Sequence, residues 1–248
     1  DRWKDGLVTQ VADAEAVQRP AKPTITQIRE VCQPEAIRGR RNSEHWVGDL
    51  YQRPISPYLT RIFLRAGFSA NAVTAVMILI GWAAAASLLI PGLPGGVLAA
   101  VLGQLQMLID ATDGEVARWR QTMSPTGVFL DKIAHYSTEA FIAIALGVRA
   151  AGGFDANSGW TLVGALLAVV LLLNKSLNDF VHVARAYAGL PRVSESAAIA
   201  APRPGMIATA RRIARFVPFH KLFHSIEMTL LALAAAVIDA LIGNLSAT

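Results

Sequence analysis

A chain of 248 residues that is 53% hydrophobic and only 17% charged is too apolar for an ordinary soluble domain, and its mean hydropathy of +0.41 agrees. Lys and Arg number 23 against 18 Asp and Glu, a formal charge of +5. In so apolar a chain that excess suits membrane lipids with anionic headgroups and phosphate substrates, and no nucleic acid partner is expected. The single Cys32 excludes an internal disulfide and a cysteine-based metal cluster.

Residues 1–52 are polar and mixed, and read as a cytoplasmic N-terminal segment. No apolar stretch follows the early charges, so no signal peptide is expected, and a start at Asp1 rather than Met reads as a trimmed form or a fragment. Pro20, Pro23 and Pro34 interrupt any long helix. The cluster Arg38-Gly39-Arg40-Arg41 is either a contact for lipid phosphate or a solvated loop. From Pro54 the apolar residues Ile55, Tyr58, Leu59, Ile62, Phe63 and Ala66 recur at helical spacing, while Arg53, Arg61 and Arg65 take other positions and Gly67 serves as the stop. Residues 53–67 thus predict an amphipathic helix too short to cross a membrane, lying in the interface or packed on a protein face.

The crossings follow. Residues 71–90 carry no charge and are closed by Pro91-Gly92-Leu93-Pro94-Gly95-Gly96, read as a loop. A second crossing runs from Val97 into Asp110, a third covers residues 127–148, a fourth 159–182 and a fifth 222–242. Residues 71–248 therefore predict an all-α, polytopic membrane helix bundle with five spans. Positive residues collect before the first span, at Arg118 and Arg120, and between Arg185 and Lys221. The loops of the opposite side, residues 91–96 and 150–158, hold no Lys or Arg, with Arg149 at the edge of the second. By the positive-inside rule the chain is a multi-pass protein of the cell membrane, with its N-terminus and Asp110 facing the cytoplasm.

Charge is placed where a membrane segment tolerates it least. Asp110 and Asp113 end the second apolar run and Asp131 lies four residues into the third, a pattern that marks a functional site by default. At about 100° per residue Asp113 is about 60° from Asp110 on a helix, with Ala117 between them and Gly114 about 40° to the other side. Small residues there allow close approach, and Arg118, about 80° from Asp110, supplies a cation suited to phosphate. On the next helix Gly127, Asp131 and His135 step by four into one slanted row. Packed as a hairpin, the two helices bring three carboxylates together, and such a cluster calls for a cation such as Mg²⁺ or Mn²⁺.

The order Asp110, Asp113-Gly114, Ala117-Arg118, Gly127, Asp131 resembles the signature of the CDP-alcohol phosphotransferases, integral membrane enzymes in which a further Asp stands where this chain has His135. The resemblance implies six crossings, a homodimer, and transfer of a substituted phosphate from a CDP-linked donor (CDP-diacylglycerol or a CDP-alcohol) to a hydroxyl acceptor. CMP is released, in phospholipid or related biosynthesis. It also implies metal ligands at Asp110, Asp113 and Asp131, and contacts to the CDP moiety from Asp110, Asp113, Gly114, Ala117, Arg118 and Gly127. His135 takes the position of the family's general base, and an unperturbed imidazole pKa near ~6.5 suits that task. Glu139, one turn on, is the substitute base. The departure at His135 also admits a non-catalytic relative that binds nucleotide or lipid without turnover.

The end of the fourth span is polar. Asn174, Asn178 and His182 repeat by four, Lys175 and Asp179 form an i,i+4 pair beside them, and Arg185 follows. Asn174, Lys175, Asn178, His182 and Arg185 are a candidate wall of the acceptor pocket, the alternative being internal pairing near the headgroups. His220 and His224 have metal-ligand spacing but only Glu227 nearby, so an interfacial role is expected of them. No phosphate-binding glycine loop, serine nucleophile elbow or dinucleotide fingerprint occurs.

Overall fold

The computed structural model describes residues 19–34, 48–155, 157–190 and 223–243, and every regular element among them is helical. The cluster Arg38 to Arg41, the loop residues 191–221 and His220 lie outside the described residues. Thr24 opens helix α1 (Ile25–Cys32). Its hydroxyl accepts from the Gln27 N–H at 3.2 Å, and the Gln27 side-chain oxygen accepts from the Thr24 N–H at 2.9 Å. A short π-helical turn, Gly48–Gln52, leads into α2 (Arg53–Arg65), whose Pro54 sits in the first turn, where no N–H is needed. Gly67, at φ +80, then turns the chain, and Ser69 caps α3 (Ala70–Ser87).

Four long helices follow: α4 (Gly92–Arg120), α5 (Pro125–Ala150), α6 (Gly159–Tyr187) and α7 (Ser225–Ile242). Helix α4 packs against α3, α7 and α2; α5 packs against α3 and α6; α6 packs mainly along α5. The glycine- and proline-rich stretch at residues 91–96 is not a loop, as its composition predicted. Gly92 already starts α4, because a proline in the first turn costs no hydrogen bond and because Gly95 and Gly96 are buried where side chains do not fit. A Cβ on Gly96 would stand 2.9 Å from Ala236 Cβ on α7.

Among the described residues four helices are long and apolar enough to cross a membrane: α3, α4, α6 and α7. The fifth expected span, α5, is equally long at 26 residues, but its charged and polar residues place it outside that set. Those groups are turned toward partners. Lys132 meets Asp179 at 3.1 Å and Glu139 meets Lys175 at 2.9 Å, both across the α5–α6 contact. Arg149, at the edge of the side whose loops hold no Lys or Arg, donates to the carbonyls of Leu88, Ile90 and Gly92 at 3.1, 2.7 and 2.6 Å. It thereby caps the end of α3 and ties the α3–α4 turn to α5.

Lipid offers no hydrophobic drive for helices to associate, so close backbone approach has to supply the packing. Gly147 on α5 and Gly164 on α6 face each other so closely that a Cβ on Gly147 would lie 2.6 Å from Trp160 O and 2.8 Å from Gly164 Cα. Helix α6 turns Leu162, Leu166, Val169 and Leu173 outward. Replacing Gly147 with Leu forces α6 off α5, because the obstructing atoms are backbone, and costs about 1–3 kcal/mol or more. Thermal unfolding in detergent should show a lower Tm for Gly147→Leu and no change for Gly159→Ala, whose Cβ meets nothing within 4 Å. An unchanged Tm in Gly147→Leu contradicts this contact.

Candidate active site

A turn at residues 121–124 joins α4 to α5, with Gln121 at a left-handed φ of 55 and Ser124 capping α5 by accepting from Gly127 N at 3.1 Å. The two helices do not pack along each other as the predicted hairpin, but both pack on α3 and meet through their side chains. Asp110 and His135 both lie about 15 Å along their helices from this turn, and so stand level. His135 Nε2 lies 3.2 Å from Asp110 Oδ1 and 3.4 Å from Asp131 Oδ1, and one ligand atom from each of the three residues falls within 4.8 Å of the others. Their side chains are 26%, 37% and 22% exposed for Asp110, Asp131 and His135, so the trio is recessed yet open to an incoming ligand. Helix α4 rises about 28 Å from Gly92 to Asp110, close to the ~30 Å of a hydrocarbon core. The acids therefore sit at the edge of the apolar layer, not at its middle.

Asp113 stands beside the trio with a partner of its own: its Oδ2 accepts from Thr74 Oγ1 on α3 at 2.8 Å. Gly127 lies nearby on the α3 side, where a Cβ would come within 3.5 Å of Asn71 Oδ1. Arg118, expected to share the space of the acids, donates from Nε to Cys32 O at the end of α1, at 2.8 Å. Its guanidinium lies against Gly114, with Nη1 3.2 Å from where a Cβ would be. Ala117 packs into the apolar cluster around Ile109, Val116 and Trp119.

A second acid of this stretch escaped the sequence analysis. Glu115, about 140° from Asp110 on the helix, is fully buried on the far side of α4. Its carboxyl accepts from Ser56 Oγ at 2.5 Å, Thr60 Oγ1 at 2.6 Å and Gln33 Nε2 at 2.8 Å, which fastens α2 and the end of α1 to α4. Consequently α2 docks by its small polar residues and leaves Ile55, Tyr58 and Ile62 exposed, while Leu59 and Phe63 pack inward. Cys32 Sγ donates to Glu115 O at 3.3 Å, and burial, with Glu115 nearby, pushes its thiol up to about 12, so it is a neutral packing group. The available signal was a carboxylate one residue after Gly114, on the opposite face. Thr74 gave no signal within an apolar run. Gln106, one turn before Asp110, was also missed: it is fully buried, and neither amide atom has a partner among the described residues.

The proposed acceptor wall is divided by the structure. Asn174, Asn178 and His182 are exposed on α6, whereas Lys175 is half-buried against Glu139. Lys175 and Asp179 do not pair with each other as expected. Both face α5, where Lys175 finds Glu139 and Asp179 finds Lys132 and the Tyr136 hydroxyl. Arg185 is part-buried two turns further on. His224 stands at the N-cap position of α7 with its Nδ1 3.4 Å from Glu139 Oε1, so Glu139 is engaged by both Lys175 and His224.

Removing the Glu115 carboxyl leaves three buried donors without their acceptor, a local loss of about 2 kcal/mol or more. Hydrogen exchange on Glu115→Ala should rise in α1 and α2 and stay unchanged in α6. Protection of α1 and α2 equal to wild type contradicts the fastening role.

A family model described as CDP-alcohol phosphatidyltransferase matches residues 68–238, from just before α3 to within α7. None of the curated proteins compared matches the chain. The matched region takes in most of the chain and the whole stretch from Asp110 to His135, and the chain belongs to the CDP-alcohol phosphatidyltransferase family.

Proposed function

We propose that this protein transfers a phosphatidyl or phospho-alcohol group from a CDP-linked donor to a hydroxyl acceptor with release of CMP. The observation that carries the proposal is the trio Asp110, Asp131 and His135, held within 4.8 Å inside the region matched to the family. Two carboxylate oxygens and an imidazole nitrogen at that spacing fit a divalent cation, Mg²⁺ or Mn²⁺. When bound, such an ion neutralises the donor diphosphate and the departing CMP.

The chain's own residues supply the rest. Gly114 lets the Arg118 guanidinium lie close against α4, and the small Ala117 and Gly127 keep the neighbouring helix faces low where the CDP moiety would lie. Arg118, fixed by the Cys32 carbonyl and laid over Gly114, places a fixed cation beside that space. Asp113, oriented by Thr74, adds a carboxylate next to the trio. The acceptor oxygen bonds to the β-phosphorus as the bond to the bridging oxygen breaks, and CMP leaves with that oxygen. Because His135 Nε2 is turned to both Asp110 and Asp131, His135 belongs to the ligand set. The role of base, expected of it from sequence, passes to a carboxylate of the cluster. Lys175, on Glu139, borders the site from α6, and the acceptor enters from that side. The outward face of α6 is where acyl chains, or the second copy implied by the family resemblance, would lie. The loop charges set the site toward the cytoplasm, where a CTP-derived donor is made.

Purified protein given labelled CDP-diacylglycerol or CDP-alcohols, a divalent cation and lipid extract should release CMP. Asp113→Asn, nearly isosteric, should lower the rate on the order of 10²-fold or more while the protein stays folded, since a negative charge that would draw the cation toward the donor diphosphate is lost. Turnover in Asp113→Asn equal to wild type contradicts the site assignment.

A further inference from the structure

We infer that His135 makes the cation site of this chain selective for Mn²⁺ over Mg²⁺, an inference that rests on reading the trio as a divalent-cation site. The donor atoms are arranged for one ion. Neighbouring ligands of an octahedral ion with bonds of ~2.1 Å stand ~3.0 Å apart. Nε2 lies 3.2 and 3.4 Å from the two carboxylate oxygens, so both pairs reach that spacing by shifts of a few tenths of an ångström.

The same contacts show what Nε2 lacks. A neutral ring nitrogen bearing hydrogen satisfies one acceptor, and a bare one turns its lone pair on two carboxylate oxygens. A cation shared by all three removes that conflict, and His135 then enters as a nitrogen ligand. Mg²⁺ is a hard ion that favours oxygen and dehydrates reluctantly, whereas imidazole is a good partner for first-row transition ions. Mn²⁺ combines that tolerance with a taste for carboxylates, which Asp110 and Asp131 provide. Relative to a set with Asp at position 135, the site also has one negative charge fewer. That loss weighs most on Mg²⁺, which gains nothing from the nitrogen in return.

The test measures metal binding directly. Wild-type protein in lipid nanodiscs is titrated with Mn²⁺ while the free ion is followed by electron paramagnetic resonance, and bound Mn²⁺ is then displaced with Mg²⁺. The preference for Mn²⁺ should exceed that of His135→Asp by about tenfold or more, and the drop should come from both weaker Mn²⁺ and tighter Mg²⁺ binding. His135→Ala, which fits the same space, should weaken Mn²⁺ more than Mg²⁺. Equal selectivity in wild type and both variants overturns the inference while leaving the cation site intact. Failure of both ions to bind wild type, or undiminished binding in Asp131→Asn, overturns the cation reading itself and the inference with it.

Discussion

Like charges brought together at the edge of an apolar layer are the constraint on which the rest of this structure depends. Asp110 and Asp131 come from different helices, and each would be more comfortable in water. The short turn at residues 121–124 and the packing of both α4 and α5 on α3 give neither the choice, since together they bring Asp110 to the row of Asp131 and His135. Thr74 donates to Asp113 and His135 Nε2 lies against both of the other carboxylates, a set of ligand atoms that could hold a cation. A site that is incomplete without its ligands is well suited to bind charged ones.

Helix α4 carries a second set of polar contacts on its other side, and the two sets are linked by their spacing along the same turns. Glu115 holds α1 and α2, and Arg118 reaches the last carbonyl of α1. The N-terminal helices are thus built onto the stretch that carries the acids and not appended to it. This arrangement explains why α2 buries Ser56 and Thr60 and leaves Ile55, Tyr58 and Ile62 on the outside. A helix fastened by its polar side and exposing an apolar one lies naturally at a membrane surface.

Much of the fold was legible in the sequence because the apolar runs are long and the turn chemistry between most of them is plain. The acids were legible for a related reason: carboxylates are so costly at the end of an apolar run that Asp110, Asp113 and Asp131 stood out at once. Where the reading failed, tertiary context decided. Residues 91–96 carry every mark of a loop, but glycines also permit helices to touch, and Gly96 meets α7 through that permission. Lys175 and Asp179 have the spacing of a helical pair, but α5 offers each a better-placed partner. That Arg118 also bonds the end of α1 could not be read from the sequence, because only the fold brings the Cys32 carbonyl within its reach. Glu115 was overlooked because its partners, Gln33 at the end of α1 and Ser56 and Thr60 on α2, are far from it in sequence and resemble ordinary surface residues.

The account stands on the trio being a cation site, and the most direct measurement is a structure of the protein soaked in Mn²⁺ with anomalous scattering recorded at the manganese edge. A single strong peak about 2.2 Å from a carboxylate oxygen of Asp110, one of Asp131, and His135 Nε2 is the predicted result. A peak bound elsewhere with the trio vacant, or one that touches the carboxylates while the His135 ring points away, would contradict it.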